Sequence, residues 1–147
     1  MNSQKRVALN INYSDIQVGA VYTFNRKFSE SEIIDFARLS GDFNPLHIDE
    51  EFAQKSRYKR NIIHGMLAGS LFSTLVGMYC PGKKCIYLSQ TLQFRRPLFP
   101  QEALLVKGTI IDKSDSIKTV TIKTEILTRG QVAVSGEARV KVAEEGN

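Results

Sequence analysis

The sequence has few of the residues that build disulfide scaffolds or metal centres. Only two cysteines and two histidines occur among its 147 residues. Cys80 and Cys85 are too few for a disulfide framework, and a zinc site would need further Cys or His ligands. We therefore expect free thiols in a reducing compartment and no metal site.

Long basic runs and targeting segments are also missing. The net charge is +5, but Lys and Arg are scattered and form no basic helix, which argues against nucleic-acid binding. No apolar run typical of a secretory signal follows Lys5 and Arg6. Residues 144–147 carry no peroxisomal signal. These absences favour a cytoplasmic protein.

Charge is absent from residues 61–82. Asn61, His64 and four glycines interrupt this stretch, so it is too polar for a transmembrane segment of about 20 apolar residues. It predicts one long helix over 65–79, buried nearly all round. Gly65 and Gly69 keep parts of its surface thin, so that a curved sheet can pack closely against it.

The segment before this stretch predicts a polar lead-in over 1–20, a strand over 21–28 and then two helices. Ser29 and Glu32 form a capping-box pattern, and Gly41 follows the last apolar residue of the first helix. Asp49 is the expected cap of a second, short helix over Glu50–Lys55.

The last third changes to a period of two, which predicts half-buried strands. The runs are 86–95, 104–110, 119–126 and 132–142, with hairpin connections at 113–116 and 129–130. The fold class is therefore α+β, with a five-stranded antiparallel sheet wrapped around the long central helix and a helical excursion before it. We expect one domain over 1–147, with its core at about 15–142.

Polar chemistry is concentrated between the two predicted helices. Asp42, Asn44 and His47 place a carboxylate, an amide and an imidazole within six residues, on a segment that Gly41 and Pro45 should keep rigid and non-helical. Asp and His form a general acid–base pair. Each residue also has a structural interpretation, because Asp and Asn are common turn residues and a lone His is usually structural.

This region resembles the signature of the MaoC-like, hydratase-2-type dehydratases, a family of hotdog-fold proteins. The signature reads Phe36-Ala-Arg-Leu-Ser-Gly-Asp-Phe-Asn-Pro-Leu-His47, followed after five residues by Ala53. The resemblance extends to Asn61-Ile-Ile-His64-Gly-Met-Leu67, Pro81-Gly82, Tyr87-Leu88 and Phe94-Arg-Arg-Pro97. It covers roughly residues 15–142.

The resemblance implies reversible hydration of trans-2-enoyl-CoA to (R)-3-hydroxyacyl-CoA, with Asp42 and His47 holding one water. Such chemistry also needs stabilisation of the charge on the thioester oxygen, which the backbone N–H of Gly65 at a helix start can supply. Asn44 and His64 are candidates for orienting the pair or the substrate. Coenzyme A would enter only as part of the substrate, no cofactor would be needed, and a homodimer is expected because the sheet has open edges.

Other functions stay open. The same chemistry could run as dehydration of a 3-hydroxyacyl thioester, on coenzyme A or on acyl carrier protein. A non-catalytic acyl-CoA-binding hotdog protein should have a degraded acid–base pair, and a hotdog thioesterase should carry an acidic residue on the long helix. Basic residues that could contact the phosphates of coenzyme A are Arg57, Lys59, Arg60, Arg95 and Arg96.

Overall fold

The computed structural model describes residues 6–144. Lys5 and residues 145–147, on which part of the localisation expectation rests, lie outside the described residues. In chain order the elements are a 3-10 turn (Tyr13–Asp15), β1 (Val21–Arg26), α1 (Glu30–Ser40), α2 (Pro45–Ile48), α3 (Glu50–Lys55), α4 (Gly65–Thr74), a π-helical turn (Leu75–Tyr79), β2 (Cys85–Gln90), β3 (Gln93–Phe94), β4 (Leu104–Ser114), β5 (Thr119–Thr128) and β6 (Gln131–Val142).

The strands of residues 6–144 form one antiparallel sheet in the order β1-β4-β5-β6-β2, and the short β3 also pairs with β6. The predicted five-stranded antiparallel arrangement is confirmed. The run predicted as one strand over 86–95 is divided, however, into β2 and β3. The chain crosses close to β6 at Thr91, whose carbonyl oxygen lies 1.8 Å from the place where a Cβ at Gly136 would be. A side chain at position 136 of β6 would collide with this carbonyl, so the break between β2 and β3 requires a glycine there.

The alternation predicted for the long strands is confirmed in β4 and β5. Val106, Ile110, Ile122 and Ile126 face the core and are at most 1% exposed. The expectation that β2 is half-buried is wrong, because its predicted inward residues, Ile86 and Leu88, are 47% and 52% exposed. β2 is an edge strand, and within residues 6–144 no strand pairs with its outer edge.

One hairpin turn lies where it was predicted and the other does not. Arg129 and Gly130 both have positive φ, as the tightest hairpin turns require. The turn between β4 and β5 was predicted at 113–116, but β4 continues to Ser114 and the turn occupies 115–118. Lys118, with φ 52°, completes it.

The helical excursion follows its local signals. The Ser29 hydroxyl accepts the N–H of Glu32, the Glu32 carboxylate accepts the N–H of Ser29, and Gly41 ends α1 with φ 80°. Asp49 caps α3 as predicted. β1 ends at Arg26, two residues before the predicted end. The chain must leave the sheet there to reach Ser29, the N-cap of α1.

The central helix has the predicted extent but not the predicted burial. α4 continues directly into the π-helical turn, so the pair covers 65–79. Leu71, Phe72 and Leu75 pack into the core against the sheet, and each buried side chain of this size contributes about 1.5–3 kcal/mol. Met66 is 61% exposed, and Ser70 and Ser73 are exposed as well. The sheet covers one side of α4 only, so burial all round is wrong.

Residues before β1 contribute to the core, in contrast to the polar lead-in predicted over 1–20. Ile16 is 0% exposed, and the Tyr13 hydroxyl donates to the Asp115 carboxylate at 2.8 Å. The Lys113 ammonium donates to the carbonyls of both Tyr13 and Ile16.

No helix within the described range is long and apolar enough to cross a membrane.

Candidate active site

The structure brings the two polar regions of the sequence together at the start of α4. One oxygen of the Asp42 carboxylate and one nitrogen from each imidazole, of His47 and His64, lie within 4.8 Å of one another. Asp42 follows the end of α1, His47 lies on α2, and His64 is the N-cap of α4. Three separate elements therefore position the three side chains.

His47 lies on a helical turn, which corrects the non-helical segment predicted from Asn44-Pro45. Pro45 is the first residue of α2, where its missing N–H costs nothing. The Asn44 side chain caps this turn by accepting the Leu46 N–H at 3.0 Å. Asn44 thus acts on the site by fixing the short helix that carries His47.

The tautomer of His47 is set by the backbone. Its Nδ1–H donates to the Ile62 carbonyl at 2.8 Å, which leaves Nε2 as an acceptor in the neutral ring. Burial lowers the pKa of His47, with a smaller lowering from the neighbouring His64, while the Ile62 hydrogen bond and Asp42 oppose this. His47 is therefore neutral near pH 7 and can accept a proton.

His64 is a buried ring at the centre of the site. It is 2% exposed and stacks on His47 with 3.9 Å between ring centroids, while Phe36 contacts it edge-on. Its Nε2–H donates to the backbone carbonyl of Asp42 at 3.0 Å. Among the described residues its Nδ1 has no hydrogen-bond partner. His64 fixes the loop of Asp42 and holds the plane of His47, and it leaves one lone pair unused.

Asp42 is the most accessible of the three residues. Its Oδ1 accepts the Asn44 N–H at 3.1 Å, and its own N–H is held by the Ser40 hydroxyl at 3.2 Å. The loop is thus fixed by local bonds and by His64, while the exposed carboxylate stays available to a ligand.

Gly65 begins α4, where the first N–H groups have no acceptor within the helix. A Cβ at Gly65 would lie 2.9 Å from the Phe94 ring. The two uses predicted for Gly65 are therefore compatible. Its lack of a side chain allows close packing against Phe94, and its backbone N–H can still bind a substrate oxygen.

A cavity of about 470 Å³ opens onto these groups. Besides Asp42, His47, His64 and Gly65 its lining includes apolar and basic side chains: Ile63, Ala68, Phe94, Leu98, Val134, Arg57, Arg95 and Arg96. Of the five basic residues considered from the sequence, Lys59 and Arg60 do not line it, and Arg60 instead stacks on Phe99 at 3.8 Å.

Sequence reasoning missed two parts of the site. The Ile62 carbonyl that selects the His47 tautomer carries no side-chain signal. Phe94, which belongs to the run predicted as a strand over 86–95, is 53% exposed and lies against Gly65 at the cavity. The sequence also carried no sign that Asp42, His47 and His64 bring one carboxylate oxygen and two ring nitrogens within 4.8 Å of one another.

Comparison with known proteins identifies the family. The model of the MaoC-like domain matches residues 15–131. The chain belongs to the MaoC-like family. This MaoC-like protein is 41% identical over 128 residues to an (R)-specific enoyl-CoA hydratase of Aeromonas caviae, covering 86% of this chain and 96% of the relative.

Two further relatives of this MaoC-like protein are informative. A mitochondrial 3-hydroxyacyl-[acyl-carrier-protein] dehydratase of Arabidopsis thaliana is 38% identical, covering 84% of this chain and 75% of the relative. The solved structure of R-hydratase PhaJ1 from Pseudomonas aeruginosa, in its unliganded form, superimposes with a TM-score of 0.89 at 34% identity and covers 94% of this chain and 89% of that one. The hotdog fold predicted from the sequence is confirmed.

Proposed function

We propose that this MaoC-like protein is an (R)-specific enoyl-CoA hydratase, a hydro-lyase that reversibly adds water to trans-2-enoyl-CoA. The observation that carries the proposal is the convergence of Asp42 and His47 within a cavity that begins at the N-terminus of α4. The identity to hydratases over most of the chain supports it.

The geometry suits a reaction in which one water serves both ends of the double bond. The Asp42 carboxylate and the His47 Nε2 are both acceptors, so each takes one hydrogen of a water held between them. As the water oxygen bonds to the β-carbon, one of the two groups accepts its proton. The electrons of the double bond move towards the thioester oxygen, and the same proton is then returned to the α-carbon. The net change is addition of H and OH, and the enzyme ends in its starting state.

Charge on the thioester oxygen is the second requirement of the reaction. The N–H of Gly65 and the dipole at the start of α4 stabilise a negative oxygen there.

No acidic residue lies on α4, which argues against the thioesterase alternative. The acid–base pair is intact, which argues against a non-catalytic acyl-CoA-binding protein.

The carrier of the acyl group is proposed to be coenzyme A. Arg57, Arg95 and Arg96 line the same cavity as the acid–base pair, and guanidinium groups match phosphate geometry. The Arabidopsis relative supports a second candidate, dehydration of a 3-hydroxyacyl thioester on acyl carrier protein. Both candidates share the thioester chemistry, so only the carrier and the direction differ.

The proposed enzyme is a cytoplasmic homodimer that needs no cofactor. β2 ends the sheet, and its consecutive residues Ile86, Tyr87 and Leu88 are 47%, 38% and 52% exposed. A second copy paired along this edge would cover apolar side chains and satisfy the free backbone groups of the strand.

Steady-state hydration of crotonyl-CoA and its longer homologues, each also presented on acyl carrier protein, tests the proposal. We expect loss of the conjugated enoyl-thioester absorbance, with a higher kcat/KM for the coenzyme A series. A higher kcat/KM on acyl carrier protein would favour the second candidate. No reaction on any thioester of either carrier would refute the enzymatic function.

A further inference from the structure

The short helix that carries His47 has little packing to hold it in place. α2 consists of four residues, Pro45–Ile48, and none of their side chains is buried. His47 lines two separate cavities, that of the site and one of about 400 Å³. Most helices in proteins are stabilised by packing of an apolar face. The position of α2, and of His47 with it, must therefore be set largely by hydrogen bonds.

Asn61 supplies hydrogen bonds at the end of this helix. The last carbonyls of a helix have no N–H partner within it. The Asn61 side-chain amide donates to the Leu46 carbonyl at 3.0 Å and to the Asp49 carbonyl at 3.1 Å, and it lies 3.5 Å from the Pro45 carbonyl. One amide group, 15 residues beyond Leu46 in the chain, thus joins α2 to its C-cap, Asp49.

The residue after Asn61 makes the bond that selects the His47 tautomer. Ile62 accepts the His47 Nδ1–H at 2.8 Å, and its own N–H reaches the Leu46 carbonyl only at 3.4 Å. The second distance is beyond the usual range of about 2.7–3.2 Å, so the Asn61 amide is the stronger link between the two segments. The His47 bond can form only while α2 lies against Ile62.

We infer that Asn61 is a positioning residue, which sets the place and the tautomer of His47 through the backbone of α2. Asn61 does not line the cavity of the site and lines the second cavity instead. Its effect on the reaction rests on the proposed hydratase activity, whereas its effect on the His47 ring does not.

Nitrogen NMR of the tag-free, ¹⁵N-labelled protein tests the positioning without reference to catalysis. At about pH 8, well above the ordinary pKa of histidine, two-bond proton–nitrogen correlations show which ring nitrogen carries the proton. The sequence contains only two histidines, and His47→Gln assigns them. The wild type should show His47 as the Nδ1–H tautomer alone. Asn61→Leu has nearly the same size but no donor, so α2 should move away from Ile62 and His47 should populate both tautomers.

Two further variants separate hydrogen bonding from shape. Asn61→Asp keeps the shape of the side chain but turns acceptors towards the carbonyl oxygens, so it should disturb His47 as Asn61→Leu does. It carries the test if circular dichroism shows that Asn61→Leu does not fold. Asn61→Gln keeps the donors, and its extra methylene has room in the second cavity, so it should keep the single tautomer.

Asn12→Leu is the matched control. The exposed Asn12 amide also donates a side-chain hydrogen bond, to Asp15 at 3.3 Å, but Asn12 lines neither cavity. This variant should keep both the His47 tautomer and the activity of the wild type.

Steady-state hydration of crotonyl-CoA gives the functional reading. Asn61→Leu and Asn61→Asp should lower kcat about 10- to 100-fold, because a displacement of about 1 Å at a catalytic group can cost about 100-fold. KM should stay unchanged, as expected when only an interaction of the transition state is lost. Asn61→Gln should retain most of the wild-type kcat.

The overturning results are specific. A single Nδ1–H tautomer of His47 in both Asn61→Leu and Asn61→Asp would refute the positioning role, and so would mixed tautomers in Asn12→Leu. Mixed tautomers with a wild-type kcat would refute the effect on catalysis. A wild-type protein that hydrates no thioester, in a series that shows the expected tautomers, would refute the proposed function and not the role of Asn61.

Discussion

Replacement of Asp42 by asparagine tests the acid–base pair with little change of shape. The Oδ1 of Asp42 accepts the Asn44 N–H at 3.1 Å, and asparagine offers the same acceptor. The His64 bond goes to the backbone carbonyl of residue 42 and does not depend on its side chain. The variant therefore keeps the loop and loses the negative charge that accepts or returns the proton.

The expected loss follows from the role and from the exposure of the residue. Removing a general acid–base group costs about 10²–10⁴ in rate, or about 2.7–5.4 kcal/mol of barrier at about 1.36 kcal/mol per tenfold. Because Asp42 is exposed, the free energy of unfolding should change by no more than about 0.5 kcal/mol. The effect should thus appear in kcat and not in stability.

The assay follows the enoyl-thioester absorbance of crotonyl-CoA, from which kcat and KM are obtained separately. Asp49→Asn is the matched control, because the Asp49 Oδ1 also accepts a backbone N–H, that of Phe52 at 3.0 Å, and Asp49 does not line the cavity. Its kcat should equal that of the wild type. An Asp42→Asn variant that keeps at least about a third of the wild-type rate, far from the 10² expected, would remove Asp42 from the mechanism.

Three further predictions concern Gly65, the edge of the sheet and acid stability. Gly65→Ala keeps the backbone N–H but places a methyl group 2.9 Å from the exposed Phe94 ring, which must move aside at the cavity. The kcat/KM for crotonyl-CoA should fall because the methyl group obstructs the approach of the thioester oxygen, while the free energy of unfolding in urea should change little. A wild-type kcat/KM would contradict a close approach of the substrate to Gly65. Leu88→Asp on β2 should turn a dimer into a monomer, as measured by light scattering. The control is Ile117→Asp, which changes a similarly exposed side chain in the β4–β5 turn and should stay dimeric. A dimeric Leu88→Asp protein would contradict pairing along β2. The hydrogen bond from Arg26 lowers the pKa of Glu32, so the stability that Glu32 adds over Glu32→Gln should be full at neutral pH and should be lost progressively as the pH falls below the ordinary Glu pKa of about 4.3 and through the lowered pKa of the folded state. A difference in the free energy of unfolding that is unchanged in acid would contradict this.

Local signals in the sequence predicted the parts of the fold that depend on a few neighbouring residues. The capping box of Ser29 and Glu32, the end of α1 at Gly41 and the turn at Arg129-Gly130 each follow from residues within one turn. The burial of β2 could not be predicted in this way. Its alternation is the same as that of β4, but its place at the edge of the sheet depends on the whole topology.

The site shows the same division between local and distant causes. Asp42 and His47 were predicted because their spacing forms one short motif. The tautomer of His47 depends on the carbonyl of Ile62, and the loop of Asp42 is held by His64 across 22 residues. Neither contact leaves a pattern in the sequence, so both became apparent only in the folded chain. Asn44-Pro45 was misread because proline is compatible with the first position of a helix as well as with a turn.

The most direct test of the proposed function is the configuration of the product formed from crotonyl-CoA. Chiral chromatography after hydrolysis of the thioester measures the ratio of (R)- to (S)-3-hydroxybutyrate. A water fixed between Asp42 and His47 reaches one face of the double bond only, so the (R) alcohol should be the sole product, and its rate of formation should fall about 10²- to 10⁴-fold with Asp42→Asn. A racemic or (S) product, or an (R) product formed equally well by Asp42→Asn, would contradict the account.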